Sequence, residues 1–378
     1  MALLRHQRMI IVVAATLFIL ALVRLYIRPQ LPPILTHVGS SENDHRPIFV
    51  PGVAKGWTES YTKTLVMAKL ESEDISWVSR DLGEFNTSIY IMDRNSSQGG
   101  LTVPRNKGHE AMAYLTYIID NYEQLPDVVL FFHPHKSTWH NNILLNLDST
   151  QTIRRLNPGR VMREGYFNAR CHHDPGCPNW LHVDRPKAEW DLIKKKEEPH
   201  LTSQVWRELH PGGDPIPPAL SQPCCAQFAV SGQRIRARPV SDYLHYRQWL
   251  LDTDLSDEFS GRILEYNWQY IFTGQAEFCP SQHECYCDGF GICFGGTTEA
   301  NLQHWLDLQR KKELVDEKLV ELRKDAEMNR QEIVIADKEK SALTLRLDTL
   351  KAEAYRRGES PKERALECGR PWKPGDGF

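Results

Sequence analysis

The chain has 378 residues, 41% apolar and 25% charged, enough to bury a sizeable core in one large domain with accessory segments. Its 46 basic and 49 acidic side chains leave a formal charge of −3, which excludes a basic field that gathers nucleic acid. Any partner must therefore be recognised by local sites.

In chain order, Arg5 and Arg8 precede the apolar run MIIVVAATLFILALV, and Arg24 and Arg28 close it. The pattern predicts a cytosolic tail at 1–8 and a transmembrane signal-anchor at 9–27 that holds the protein on a membrane. A cleaved leader would need small residues after the run, where LVRLYIRPQLPP places bulky and charged ones and then prolines. The flanking charges decide orientation weakly. Two sequons, at Asn86 and Asn95, and eight of nine cysteines between positions 171 and 293 favour an oxidising lumen. These features predict a glycosylated, single-pass type II protein of the Golgi or endoplasmic reticulum with a lumenal body.

Prolines punctuate 28–60, which reads as a stem. The body is expected over 61–295. KTLVMAKL and TSIYIMD (87–93) are strand candidates, and Ala111, Leu115, Ile118, Ile119 and Tyr122 mark an amphipathic helix with Asn106 as its N-cap. VVLFF follows as a wholly apolar strand. Strand, helix, strand in this order predicts an α/β fold, a mostly parallel sheet with flanking helices. Irregular text over 184–223 reads as a surface insertion. AQFAVS then resumes the sheet, and helices are expected near 243–251 and 262–272.

The stretch 299–357 lacks glycine and proline and carries an apolar heptad seam from Trp305 to Ala354. As one helix it would extend on the order of 85 Å, which predicts a coiled-coil homodimer with Asn329 as a polar register residue. Residues 358–378 would form a flexible tail.

Three stretches carry chemistry-bearing residues. His133, His135 and His140 sit just past the VVLFF strand, where open α/β sheets place their crevices. They can bind a divalent metal such as Zn or Mn, act as general acid or base, or grip a phosphate, with Trp139 beside them; structural histidines are the plain alternative. In NKGHE, Asn106, Lys107, Gly108 and Glu110 open a helix that can face an anion. HEAMA lacks the second histidine of a metalloprotease helix. The acids of ESED, Asp74 among them, follow the first strand. The dense cysteines favour disulfides over zinc, adjacent Cys224 and Cys225 are expected to reach separate partners or a metal, and Cys368 is left to bridge two chains.

The blocks NKGHEAMAYLTYIIDNY, FFHPHKSTWHN, CCAQFAVS, SGRILEYNWQYIF and CYCDGFGIC resemble a fungal family of membrane-anchored proteins catalogued as a domain of unknown function. Their order is similar to distant GT-A-like glycosyltransferases. The resemblance implies a nucleotide-sugar donor and a glycan acceptor, with Asp74 near the nucleotide, His133 and His135 in place of an Asp-x-Asp metal motif, and Glu265 as catalytic base. Two further functions stay open: a non-catalytic tether with a degenerate transferase fold, and metal-dependent hydrolysis.

Overall fold

The computed structural model describes residues 47–56, 58–94, 99–178, 181–184 and 200–377. The expected signal-anchor, most of the stem and the Asn95 sequon lie outside them. Among the described residues no helix is long and apolar enough to cross a membrane.

Six strands, β1 (Lys63–Lys69), β2 (Asn86–Ile91), β3 (Leu101–Thr102), β4 (Val128–Phe132), β5 (Tyr166–Asn168) and β6 (Phe228–Ser231), form one sheet in the order β3-β2-β1-β4-β6-β5. β3, β2, β1 and β4 are parallel, whereas β6 runs antiparallel to both β4 and β5. The sheet is therefore mixed. AQFAVS does rejoin it, but β5 ends beside the start of β6, so the chain re-enters from the same edge and must run back.

Alternation along the central strands divides the core between two layers. Val66, Val129 and Phe131 point into one cluster with the Glu110–Asp120 and Val240–Asp252 helices, and Leu65, Leu130 and Phe132 into another with Trp77, Phe290 and Trp305. A strand that is apolar throughout thus has helices on both faces, and each buried phenylalanine contributes roughly 2–3 kcal/mol.

Three local expectations are corrected. The amphipathic helix starts at Glu110 with no side-chain cap among the described residues, so Asn106 is not its N-cap; positive φ at Gly108 (76°) and His109 (48°) turns the chain first. The helix near 262–272 is two, Asp257–Glu265 and Trp268–Thr273, separated at Tyr266 and at Asn267, whose side chain donates back to the Ile263 carbonyl. The heptad segment is a helical hairpin rather than one long rod. Ala300–Leu322 and Arg330–Gly358 flank a turn near Arg323–Asp325, and Val315, Leu319, Ala336 and Leu343 bury one another across it. Asn329 sits at that turn and donates to the Leu322 carbonyl. An apolar seam every three to four residues is satisfied equally well by the other arm of the same chain.

The tail expected to be flexible is docked. Its Pro361–Glu367 helix buries Ala365 and Glu367, and Arg370 pairs with buried Asp288 at 2.7 Å. Disulfides link Cys171–Cys285, Cys177–Cys279 and Cys287–Cys293, while Cys368 is a free, half-buried thiol that burial pushes up to about 12. Cys224 and Cys225 bond to each other instead of to separate partners.

Candidate functional site

A cavity of about 560 Å³ opens at the carboxyl end of β4, between the start of the Glu110–Asp120 helix and the end of the Asp257–Glu265 helix. Of the residues singled out from the sequence, Glu110, His133, Trp139, His140 and Glu265 share its lining. They come from three segments far apart in the chain. The approach of the two helices depends on Gly261, where a Cβ would lie 2.7 Å from the His109 ring and 3.0 Å from the Gly108 backbone. That contact sets Glu265, one turn later, near Glu110.

Glu265 accepts a hydrogen bond from the Cys225 backbone N–H at 2.7 Å. Burial, then the neighbouring Glu110 carboxylate, pushes its carboxyl up to about 7, against the opposing pull of Cys225, His133 and Arg262. A carboxyl poised there can take or give a proton near neutrality. His133 Nε2 donates to the Cys225 carbonyl at 2.7 Å, which in the neutral ring leaves Nδ1 as an acceptor. The His140 ring lies 5.1 Å from that of His133. Its Nδ1 meets the Thr138 hydroxyl at 3.1 Å, its buried Nε2 has no hydrogen-bond partner among the described residues, and burial together with His133 and Arg170 pushes it down to about 3. It is a neutral group at any ordinary pH. Trp139, 66% exposed, presents its indole at the same lining with the Arg170 guanidinium 5.4 Å over the ring.

The other sequence-selected residues lie elsewhere. Asp74 is exposed and accepts from the Ser76 N–H at 2.8 Å and from its hydroxyl at 3.1 Å, bonds that hold its carboxyl below the usual range. His135 pairs with Glu73 at 3.3 Å, beyond the ends of β4 and β1. Asn106 is exposed. Lys107 is buried and donates to the Thr253 carbonyl. Gly108 packs on Leu250, whose methyl would stand 2.7 Å from an added Cβ. Asn86 is exposed at the first position of β2.

The lining also includes His109, Pro175, Gly176, Cys224, Cys225, Glu258, Gly261, Arg262 and Tyr266. Arg262 had a signal, standing one helical turn before Glu265. Cys224 and Cys225 had none that pointed to this wall.

The three histidines do not form one ligand set. Among the described residues the grouping that brings three donor atoms within 4.8 Å of one another is Cys287, Cys293 and Glu367, whose two sulfurs are already joined in a disulfide. His133 Nε2 is engaged by a carbonyl and His135 by Glu73, so these residues do not fit a shared Zn or Mn ion.

No curated protein and no solved structure matches the chain. A family model does, over residues 65–288, a span that contains every residue of the cavity lining, and on that match the chain belongs to the family described as protein of unknown function (DUF3431).

Proposed function

We propose that the protein transfers a sugar from a nucleotide donor to an acceptor hydroxyl, and that the cavity holding Glu110, His133, Trp139, His140 and Glu265 is where it does so. The observation that carries this reading is the convergence of those residues on one space at the carboxyl end of β4. The cavity lies where the carboxyl end of β4 meets the start of β6, on the side of the sheet where α/β folds hold their ligand crevices. Its volume falls within the range of pockets that enclose a small organic ligand. Glu265 removes the acceptor proton as the acceptor oxygen bonds to the anomeric carbon, and the sugar–phosphate bond breaks to release the nucleoside diphosphate. Arg262 lends positive charge to that leaving group, and the exposed Trp139 indole offers an apolar face to a sugar ring. The four disulfides support a lumenal body, and the apolar run at 9–27 supports a membrane anchor.

The full chain is screened against nucleotide sugars with Glu265→Gln alongside. The expected result is turnover of at least one donor by the native protein and a loss of roughly 100-fold or more in the variant. Equal turnover by both proteins refutes the assignment.

A further inference from the structure

Cys224 and Cys225 are bonded to each other with Cα atoms 3.7 Å apart, and both line the cavity. The Cys225 backbone is held from two sides by the side chains assigned to chemistry: its N–H donates to Glu265 and its carbonyl accepts from His133, each at 2.7 Å. Cys225 and the following Ala226 have φ of 86° and 45°. Such left-handed conformations cost non-glycine residues of order 1–3 kcal/mol each and persist where the surroundings fix them. A bond between adjacent cysteines closes a small ring around their shared peptide, and that ring is the covalent restraint at this turn.

We propose that the Cys224–Cys225 disulfide is a positioning element of the site, holding the Cys225 backbone in the turn that orients Glu265 and His133, and that a dithiol releases both by opening it. This rests on the transferase reading for what the two side chains do; the positioning itself does not. In the opening, a thiolate of the dithiol attacks one sulfur and expels the other as a thiolate. The second thiolate of the reagent then displaces the first sulfur and closes the reagent's own disulfide. Two electrons and two protons pass to Cys224 and Cys225, which end as thiols.

Freed of the ring, the turn relaxes toward negative φ, and Glu265 loses the N–H that favours its charged form. The groups facing it from neighbouring elements remain: Glu110 and Tyr114 on the Glu110–Asp120 helix, His133 after β4, and Arg262 on its own helix. With the Glu110 repulsion undiminished, Glu265 holds its proton to higher pH.

The test uses the full chain labelled with 13C at the glutamate side-chain carboxyl, the Glu265 signal being identified by its loss in Glu265→Gln. The pH midpoint of that signal is compared between the native protein and Cys224→Ser/Cys225→Ser. An upward shift of roughly one pH unit is expected, the worth of a hydrogen bond to a charged group, with the acid limb of turnover moving alongside it. An unchanged midpoint overturns the proposal. Should the double variant not fold, native protein treated with a dithiol supplies the comparison, using chains that peptide mass mapping shows opened at this bond alone. If the midpoint moves and no form transfers sugar, the positioning stands and the transferase reading falls. If sugar is transferred and the midpoint stays, the positioning falls alone.

Discussion

Glu110 and Glu265, the first residue of one helix and the last of another, face the same cavity, and the Glu110 charge adds to burial in raising the Glu265 carboxyl to about 7. The native state therefore binds this proton more tightly than the unfolded chain, whose ordinary carboxyl titrates near 4.5. Ionised Glu265 costs stability: the cost is absent below the unfolded value, grows through the window between the two, and is complete above the folded value. Glu265→Gln removes the charge and keeps an oxygen for the Cys225 N–H. At about pH 8 the variant is expected to be more stable than the native protein by on the order of 1–3 kcal/mol, with the gain gone by about pH 4. Denaturant unfolding at both values measures this. A variant less stable at the higher pH would mark Glu265 as a structural residue.

Three histidines that burial keeps neutral carry the opposite sign, His140 of the cavity among them. Burial pushes His172 down to about 4 and His210 down to about 3, and they find partners in the Tyr286 hydroxyl at 2.7 Å and the Asn267 side-chain oxygen at 3.2 Å. The unfolded chain takes up these protons near 6.5, so the stability tied to the neutral rings is present above that value and is lost as pH falls toward the folded values. Each group contributes a slope of up to about 1.4 kcal/mol per pH unit, while Glu265 opposes one of them between about 7 and 4.5. Thermal unfolding followed by near-ultraviolet circular dichroism is expected to show a falling melting temperature from about pH 6.5 to 5, less steep in His210→Gln. A flat native profile contradicts the burial of these rings.

The residues that were legible in the sequence are those whose signal is their own side chain. VVLFF announced a strand covered on both faces because all five positions are apolar, and His133 and Glu110 were found because each stands at the end of a periodic segment, whereas Glu265 was singled out through the family resemblance. The antiparallel sense of β6 was not legible, since it depends on where a long insertion brings the chain back. The hairpin was not legible either, because a heptad seam reads the same whether its partner is another chain or the next helix. Cys225 meets Glu265 and His133 through backbone atoms, which every residue has, so its part in the site left no trace in residue type.

Asp288 ties the tail to the body. Burial opposes its charge, but Arg163, Arg160 and Arg370 hold the carboxyl below the usual range, with Arg163 and Arg370 nitrogens at 2.7 Å. Asp288→Ala would leave these guanidinium groups facing one another in a buried space. A loss of about 3–5 kcal/mol is expected in denaturant unfolding. A loss below about 1 kcal/mol would reduce the cluster to a surface ion pair.

The two ends of the hairpin should respond differently to damage. Near the body, Trp305 donates to the Leu347 carbonyl at 3.1 Å, and Trp305, Leu347 and Ala354 share a core cluster with Leu144 and Phe290. Toward the turn, Val315, Leu319, Ala336 and Leu343 form a cluster of their own. Ending the chain before Ala300 strips cover from Phe290 and removes Arg370, so cooperative unfolding of the remainder is expected to be lost, although the family match ends at residue 288. Leu319→Ala removes one fully buried side chain from the small cluster and is expected to cost about 2–4 kcal/mol. Light scattering after gel filtration gives the deciding measurement: the seam is consumed within one chain, so Leu319→Ala and Leu343→Ala should leave the native mass unchanged. A native dimer that either substitution converts to monomer would show that the seam pairs two chains.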